Sequence, residues 1–180
     1  MVAHVVLLRG VNVGGHRTFK PSLLAKELQH LGAVNIGAAG TFVIPAPIGQ
    51  AQLRRELERR LPFVSEIVIC DGRDITRLLT HRVFHRNPAQ PDVTRFVSVL
   101  SRRPRSKPPL PITMPATGRW LLKIHALDGR FVLGEYRRHM KVIGYLGSLD
   151  RIFGVPATTR NWNTVTAIAK LLDAGRPRRL

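Results

Sequence analysis

Apolar residues recur along this chain in two rhythms: steps of three and four, which mark helices, and short unbroken or alternating runs, which mark strands. The last segment has the cleanest helical rhythm, with Trp162, Val165, Ile168, Ala169 and Leu172 forming one stripe. A hydroxyl at Thr158 or Thr159 can cap a first turn, so this helix is predicted to begin there, with Arg160, Asn163 and Thr164 sharing its polar face. At the other end of the chain, Ala3–Arg9 is a nearly continuous apolar run of strand length, which predicts a strand covered on both faces.

Between these ends the pattern alternates. Pro21 suits a first helical position, Leu24, Leu28 and Leu31 repeat on one face, and Gly32 is placed to stop the helix. Residues 34–44 read as one strand, with Gly37 and Gly40 marking a bulge or a close backbone approach. A second helix follows from Leu53, Leu57 and Leu61, its other faces carrying a solvated mixture of arginine and glutamate. Val64–Cys70 is a third strand, after which Asp71 and Asp74 open a helix through Ile75, Leu78, Leu79 and Val83 that closes near Asn87 and Pro88. Thr94–Leu100 is a fourth strand. Asp128 and Gly129, between the runs 120–126 and 130–136, predict a hairpin, and a short helix falls within 144–153.

The chain has 180 residues, enough for one domain with a sizeable core or for two small lobes. Its natural seam is the segment Arg102-Arg103-Pro104-Arg105-Ser106-Lys107-Pro108-Pro109-Leu110-Pro111, whose proline content predicts an extended loop. We therefore read 1–180 as a single unit with candidate lobes 1–101 and 116–176, joined by a basic proline-rich loop over 102–115. No apolar run approaches the length of a membrane span, and Met1-Val2-Ala3-His4 lacks a basic leader, so a cytoplasmic protein with no membrane partner is expected. Cys70 is the lone cysteine, in an apolar run, and is expected to be a buried strand residue without redox chemistry.

Net charge changes the picture more than any other bulk property. At +18 it favours polyanionic partners, nucleic acid first among them. Twelve of the eighteen excess charges lie in residues 102–180. Of the 29 basic residues 23 are arginine, a bias that genomic base composition alone can produce, so the total does not by itself establish binding.

Two stretches hold the candidate chemistry. The turn Arg9-Gly10-Val11-Asn12-Val13-Gly14-Gly15-His16 could bring main-chain amides close to an anion, because glycine permits such an approach. It fits neither dinucleotide nor nucleotide-phosphate loops: Asn12 stands where the dinucleotide motif needs glycine, and His16-Arg17 replaces the lysine and hydroxyl of a P-loop. No nucleotide cofactor is therefore expected. The second stretch is Thr158-Thr159-Arg160-Asn161-Trp162-Asn163-Thr164. The histidines are scattered without a ligating pattern, and no nucleophile elbow or acidic pair is present, so no metal and no catalytic residue is assigned.

These two stretches resemble the signatures of an uncharacterised bacterial family, domain of unknown function 1697: Leu7–Gly15 near the start and Thr158–Val165 near the end. The resemblance implies a small cytoplasmic α+β protein of ferredoxin-like lobes, a sheet with helices packed on one side, and brings no activity, substrate or cofactor. In place of the family's Gln-Ser-Gly-Asn run stands Ala38-Ala39-Gly40-Thr41, which removes polar groups. The expected site is one anion-binding pocket made by Arg9, Gly10, Asn12, Gly14, Gly15, Arg160, Asn161, Asn163 and Thr164, for nucleic acid or a small anionic ligand. Two alternatives stand beside it: a small enzyme acting at the same place on a phosphorylated or carboxylated metabolite, and a purely structural role for both motifs. The oligomeric state is left open.

Overall fold

The computed structural model describes residues 3–12, 19–84 and 90–174. The first elements in chain order are β1 (His4–Leu8), α1 (Pro21–Glu27), β2 (Val34–Ile36), β3 (Thr41–Ile44), α2 (Gln50–Arg60), β4 (Ile67–Asp71) and α3 (Gly72–Leu78). They are followed by β5 (Val93–Leu100), β6 (Ile112–Met114), β7 (Leu122–Asp128), β8 (Phe131–Arg137), α4 (Lys141–Gly147), α5 (Leu149–Phe153), β9 (Ala157–Asn161) and α6 (Trp162–Ala174). By its contacts the chain divides into two compact units, Met1–Thr80 with Thr164–Leu180, and His81–Asn163. Both are built on antiparallel sheets, and the fold class is α+β.

In the first unit the strands lie in the order β2-β3-β1-β4, and the run β1-α1-β2-β3-α2-β4 places β3 between β2 and β1. All five residues of β1 are buried, Val5–Leu8 as an apolar run requires and His4 with its Nε2 2.7 Å from the Ile48 carbonyl. On one face Val6, Leu8, Phe42, Ile44, Ile67 and Ile69 pack against Leu24 and Leu28 of the first helical segment and Leu53 and Leu57 of α2. The predicted strand over 34–44 is in fact a hairpin. Gly37 and Gly40 both take φ 66, a left-handed conformation that turns the chain between β2 and β3. Asp71 caps α3 as predicted, its carboxylate accepting from Arg73 N–H at 2.9 Å.

The second unit carries the sheet β6-β7-β8-β5-β9. The hairpin foreseen at Asp128 and Gly129 joins β7 to β8, with Gly129 at φ 62. One face, including Phe96, Leu100, Leu122 and Ile124, packs against Leu149 and Phe153 of α5. The proline-rich segment does not join two lobes. It lies inside this unit, because β5 before it pairs with β8 and β9 after it.

The final helix starts later than its threonines suggest. Residues 157–161 are strand, held by the register Phe96↔Asn161 to Leu100↔Ala157, and α6 begins at Trp162. Long-range pairing with β5 has overridden the local cap, so Arg160 is a strand residue and does not share a helical face with Asn163 and Thr164. The apolar stripe itself is as read: Val165, Ile168, Ala169 and Leu172 are buried. Among the described residues no helix is long and apolar enough to cross a membrane.

Gly134 shows how tightly the second sheet is closed. A Cβ there would come within 2.4 Å of the Lys123 carbonyl oxygen and 2.5 Å of the Phe96 ring. Gly134→Ala is therefore expected to cost about 2–4 kcal/mol through overpacking, since one of the contacts is rigid main chain. A thermal melt should show a Tm lowered by roughly 6–12 °C; a shift within 1–2 °C of zero would show that β7 and β8 can part without penalty.

Candidate functional site

In the first unit the Arg9–Asn12 turn follows β1. Gly10 and Asn12 both sit in the left-handed region, at φ 66 and φ 55, a conformation that asparagine tolerates better than other side chains. Asn12 uses its amide on the chain itself. Its Nδ2 donates to the carbonyls of Phe19 at 3.0 Å and Ala38 at 2.7 Å, and its Oδ1 accepts from Phe19 N–H at 3.0 Å. One side chain thus ties Asn12 to Phe19 and to Ala38 at the β2–β3 hairpin. The partner at 38 is a main-chain carbonyl, so alanine there serves as well as a larger polar residue.

Arg9 is likewise engaged. Its guanidinium lies 3.1 Å from Glu66 Oε2, its N–H donates to the Glu66 carbonyl, and its own carbonyl accepts from Ser65 Oγ at 3.2 Å. Beside these residues, between the end of α2 and the start of β4, lies a hollow of about 460 Å³. Sequence periodicity places a strand here from Val64, but β4 begins at Ile67 and leaves Val64 92% exposed. Gly14 and Gly15, also expected in the site, lie outside the described residues.

In the second unit Arg160 sits on β9 opposite Val97 and is buried, with 9% of its surface exposed. Burial lowers its guanidinium to about 10, which leaves it cationic at neutral pH. Its Nη1 donates to the Thr159 carbonyl at 2.8 Å. Thr158 on the same strand is also buried, and its hydroxyl has no partner among the described residues. Asn161 and Asn163 are exposed, while Trp162 packs edge-on against Phe84 with ring centroids 4.6 Å apart. Thr164, half-buried, belongs to the first unit. The candidate residues are thus divided: Arg9, Gly10, Asn12 and Thr164 in one unit, Arg160, Asn161 and Asn163 in the other.

A charged cluster that periodicity does not reveal lies across β5, β7 and β8. Glu135, 8% exposed, accepts from His125 Nε2 at 3.2 Å and from Arg95 Nε at 3.4 Å. The register shifts between Ile124 and Ala126, and His125 falls at that irregularity. The hydrogen bond from His125, with its charge and then the hydrogen bond and charge of Arg95, holds the Glu135 carboxyl below its ordinary value against burial, which works the other way. Among the described residues no group of three histidine, cysteine or acidic side chains is arranged to hold a metal.

The strand orders and these sites define an α+β protein of two antiparallel sheets. Residues 1–116 match the family described as Protein of unknown function (DUF1697), and the chain belongs to it. The match takes in the Leu7–Gly15 stretch and ends before Thr158. In structure the chain is similar to the conserved bacterial protein SP0830 from Streptococcus pneumoniae, with a TM-score of 0.57 and 18% identity over 95% of this chain and 98% of that one. At that identity the likeness concerns the fold alone. No curated protein matches the sequence.

Two outcomes test the site's chemistry. Asn12→Ala removes three hydrogen bonds to main-chain groups and is expected to cost about 1–3 kcal/mol in chemical denaturation; an unchanged midpoint would mean the turn holds without the amide. Glu135 has a folded-state pKa below its unfolded value, so its stabilising contribution is present above about pH 4.3 and is lost as pH falls through the folded value. Glu135→Gln should flatten the acid limb of a stability–pH curve, and parallel acid limbs for the two proteins would exclude the linkage.

Proposed function

We propose that this protein binds a polyanion, nucleic acid being the one its charge pattern fits, through the arginine-rich loop between β5 and β6. One observation carries the reading. Arg102, Arg103, Arg105 and Lys107 are all exposed, and among the described residues none of them makes an ion pair or a side-chain hydrogen bond. Several arginines elsewhere are compensated: Arg59 and Arg60 by Glu56, Arg9 by Glu66, Arg119 and Arg137 by Asp92. Uncompensated surface cations are what a phosphate chain can recruit, with counterion release as the driving force.

Spacing and neighbours support the same reading. Arg103, Arg105 and Lys107 alternate in an open, proline-rich segment, which separates successive charges by about 6 Å when extended. Leu100 at the loop's root donates its N–H to the Arg130 carbonyl at 2.9 Å, so the β7–β8 turn and the loop share one end of the sheet. Arg103 Nε lies 3.8 Å from the position a Cβ would take on Gly129. Tyr136 and Tyr145, the aromatics nearest the basic residues 137–141 in sequence, pack on the core of this unit. The binding mode is therefore charge against phosphate, with little base stacking.

A fluorescently labelled oligonucleotide of random sequence should bind at low salt and weaken steeply as salt rises, single-stranded and duplex forms differing little. The combined variant R102A/R103A/R105A/K107A should reduce the slope of log K against log salt by about 3. No binding at low salt, or an unaltered slope in the variant, would reject the loop as the binding surface.

A further inference from the structure

We propose that the hollow between α2 and β4 is a binding site for a small molecule with an apolar body and a protonated amine. The inference concerns the first unit and stands apart from the loop 102–107. Its volume of about 460 Å³ lies within the usual span of small-molecule sites. The walls are mostly apolar, from Leu61, Pro62, Phe63, Val64 and Ile67. Phe63 is braced edge-on by Phe19, ring centroids 5.4 Å apart, which keeps that wall from folding into the space. Val64, 92% exposed, offers apolar surface that a ligand would cover.

Two polar side chains complete the lining, and both can only accept. Ser65 Oγ donates its proton toward the Arg9 carbonyl at 3.2 Å, which leaves its lone pairs for a ligand. Glu58 makes no ion pair or hydrogen bond among the described residues, whereas Glu56 on the same helix is held by Arg59 and Arg60. Two cations lie one turn before Glu58: Arg54, whose Nη2 donates to the Ile67 carbonyl at 2.8 Å, and Arg55, which makes no ion pair with it. An unneutralised carboxylate beside apolar walls, in a chain of net charge +18, selects a ligand that brings donors and positive charge. An ammonium on an aromatic or branched aliphatic body meets each requirement.

The test is a titration followed by amide chemical shifts with three molecules of one shape: phenethylamine, 2-phenylethanol and 3-phenylpropanoate. Phenethylamine should give saturable shifts at Phe63, Val64, Ser65 and Ile67, 2-phenylethanol should bind about tenfold more weakly, and the carboxylate should give none. Glu58→Gln, on an exposed helical face, should bring the amine down to the level of the alcohol. Glu27→Gln makes the same change of charge at a residue that does not line the hollow and should leave binding unaltered. Absence of saturable shifts with the amine, carboxylate binding as tight as that of the amine, or full amine affinity in Glu58→Gln would each overturn the proposal.

Discussion

Phe96 and the Lys123 carbonyl occupy the space where any side chain at position 134 would stand, and the second sheet depends on that vacancy. Because β8 can lie so close, β5 reaches full register with it from Val93↔Arg137 to Val99↔Phe131. The other edge of β5 is then free to take β9 over five residue pairs. That second pairing determines the conformation of residues 157–161. A threonine cap contributes roughly 1 kcal/mol to a helix start, whereas the strand buries Thr158 and Arg160 and gives the main chain a continuous partner. The helix consequently waits until Trp162.

The same closure governs where charge can go. Eleven carboxylates cannot neutralise 29 cations, so a folded form of this chain must leave many arginines without an acid. Acids set within or beside regular elements gather arginines two at a time, as Glu56 and Asp92 do. Part of the surplus, Arg102, Arg103, Arg105 and Lys107, lies where the chain has neither helix nor strand, between β5 and β6. There mutual repulsion and proline both favour an open backbone, so clustering these charges does not strain a packed element. A basic total spread evenly over arginine-rich helices would have had less to say about binding than this concentration of uncompensated charge.

Features decided within one turn of chain were legible in the sequence. The stripe of α6, the Asp71 cap, the Asp128–Gly129 hairpin and the two-sided burial of β1 each follow from a few neighbouring residues. Features decided by distant partners were not. Residues 34–44 alternate like a single strand, yet two glycines with positive φ fold them into a hairpin whose inner strand pairs with β1. The proline-rich seam looked like a boundary because composition changes there, whereas compactness depends on β5 finding partners on its far side. His125 reaches Glu135 where the β7–β8 register slips, which no periodicity announces.

The candidate site shows the same limit in its chemistry. A glycine-rich turn with asparagine and arginine has the composition of an anion cradle, and composition does not say which groups are already spent. Asn12 commits two donated hydrogens and its carbonyl oxygen to main-chain groups, and Arg9 spends its charge on Glu66. Their polarity satisfies the backbone of a turn in left-handed conformations, a need as strict as any ligand's. At the rim of the nearby apolar hollow stands the carboxylate of Glu58, which has no partner among the described residues. At this hollow the uncommitted acceptor, and with it the preferred charge of a ligand, is opposite to what the bulk charge of the chain would suggest.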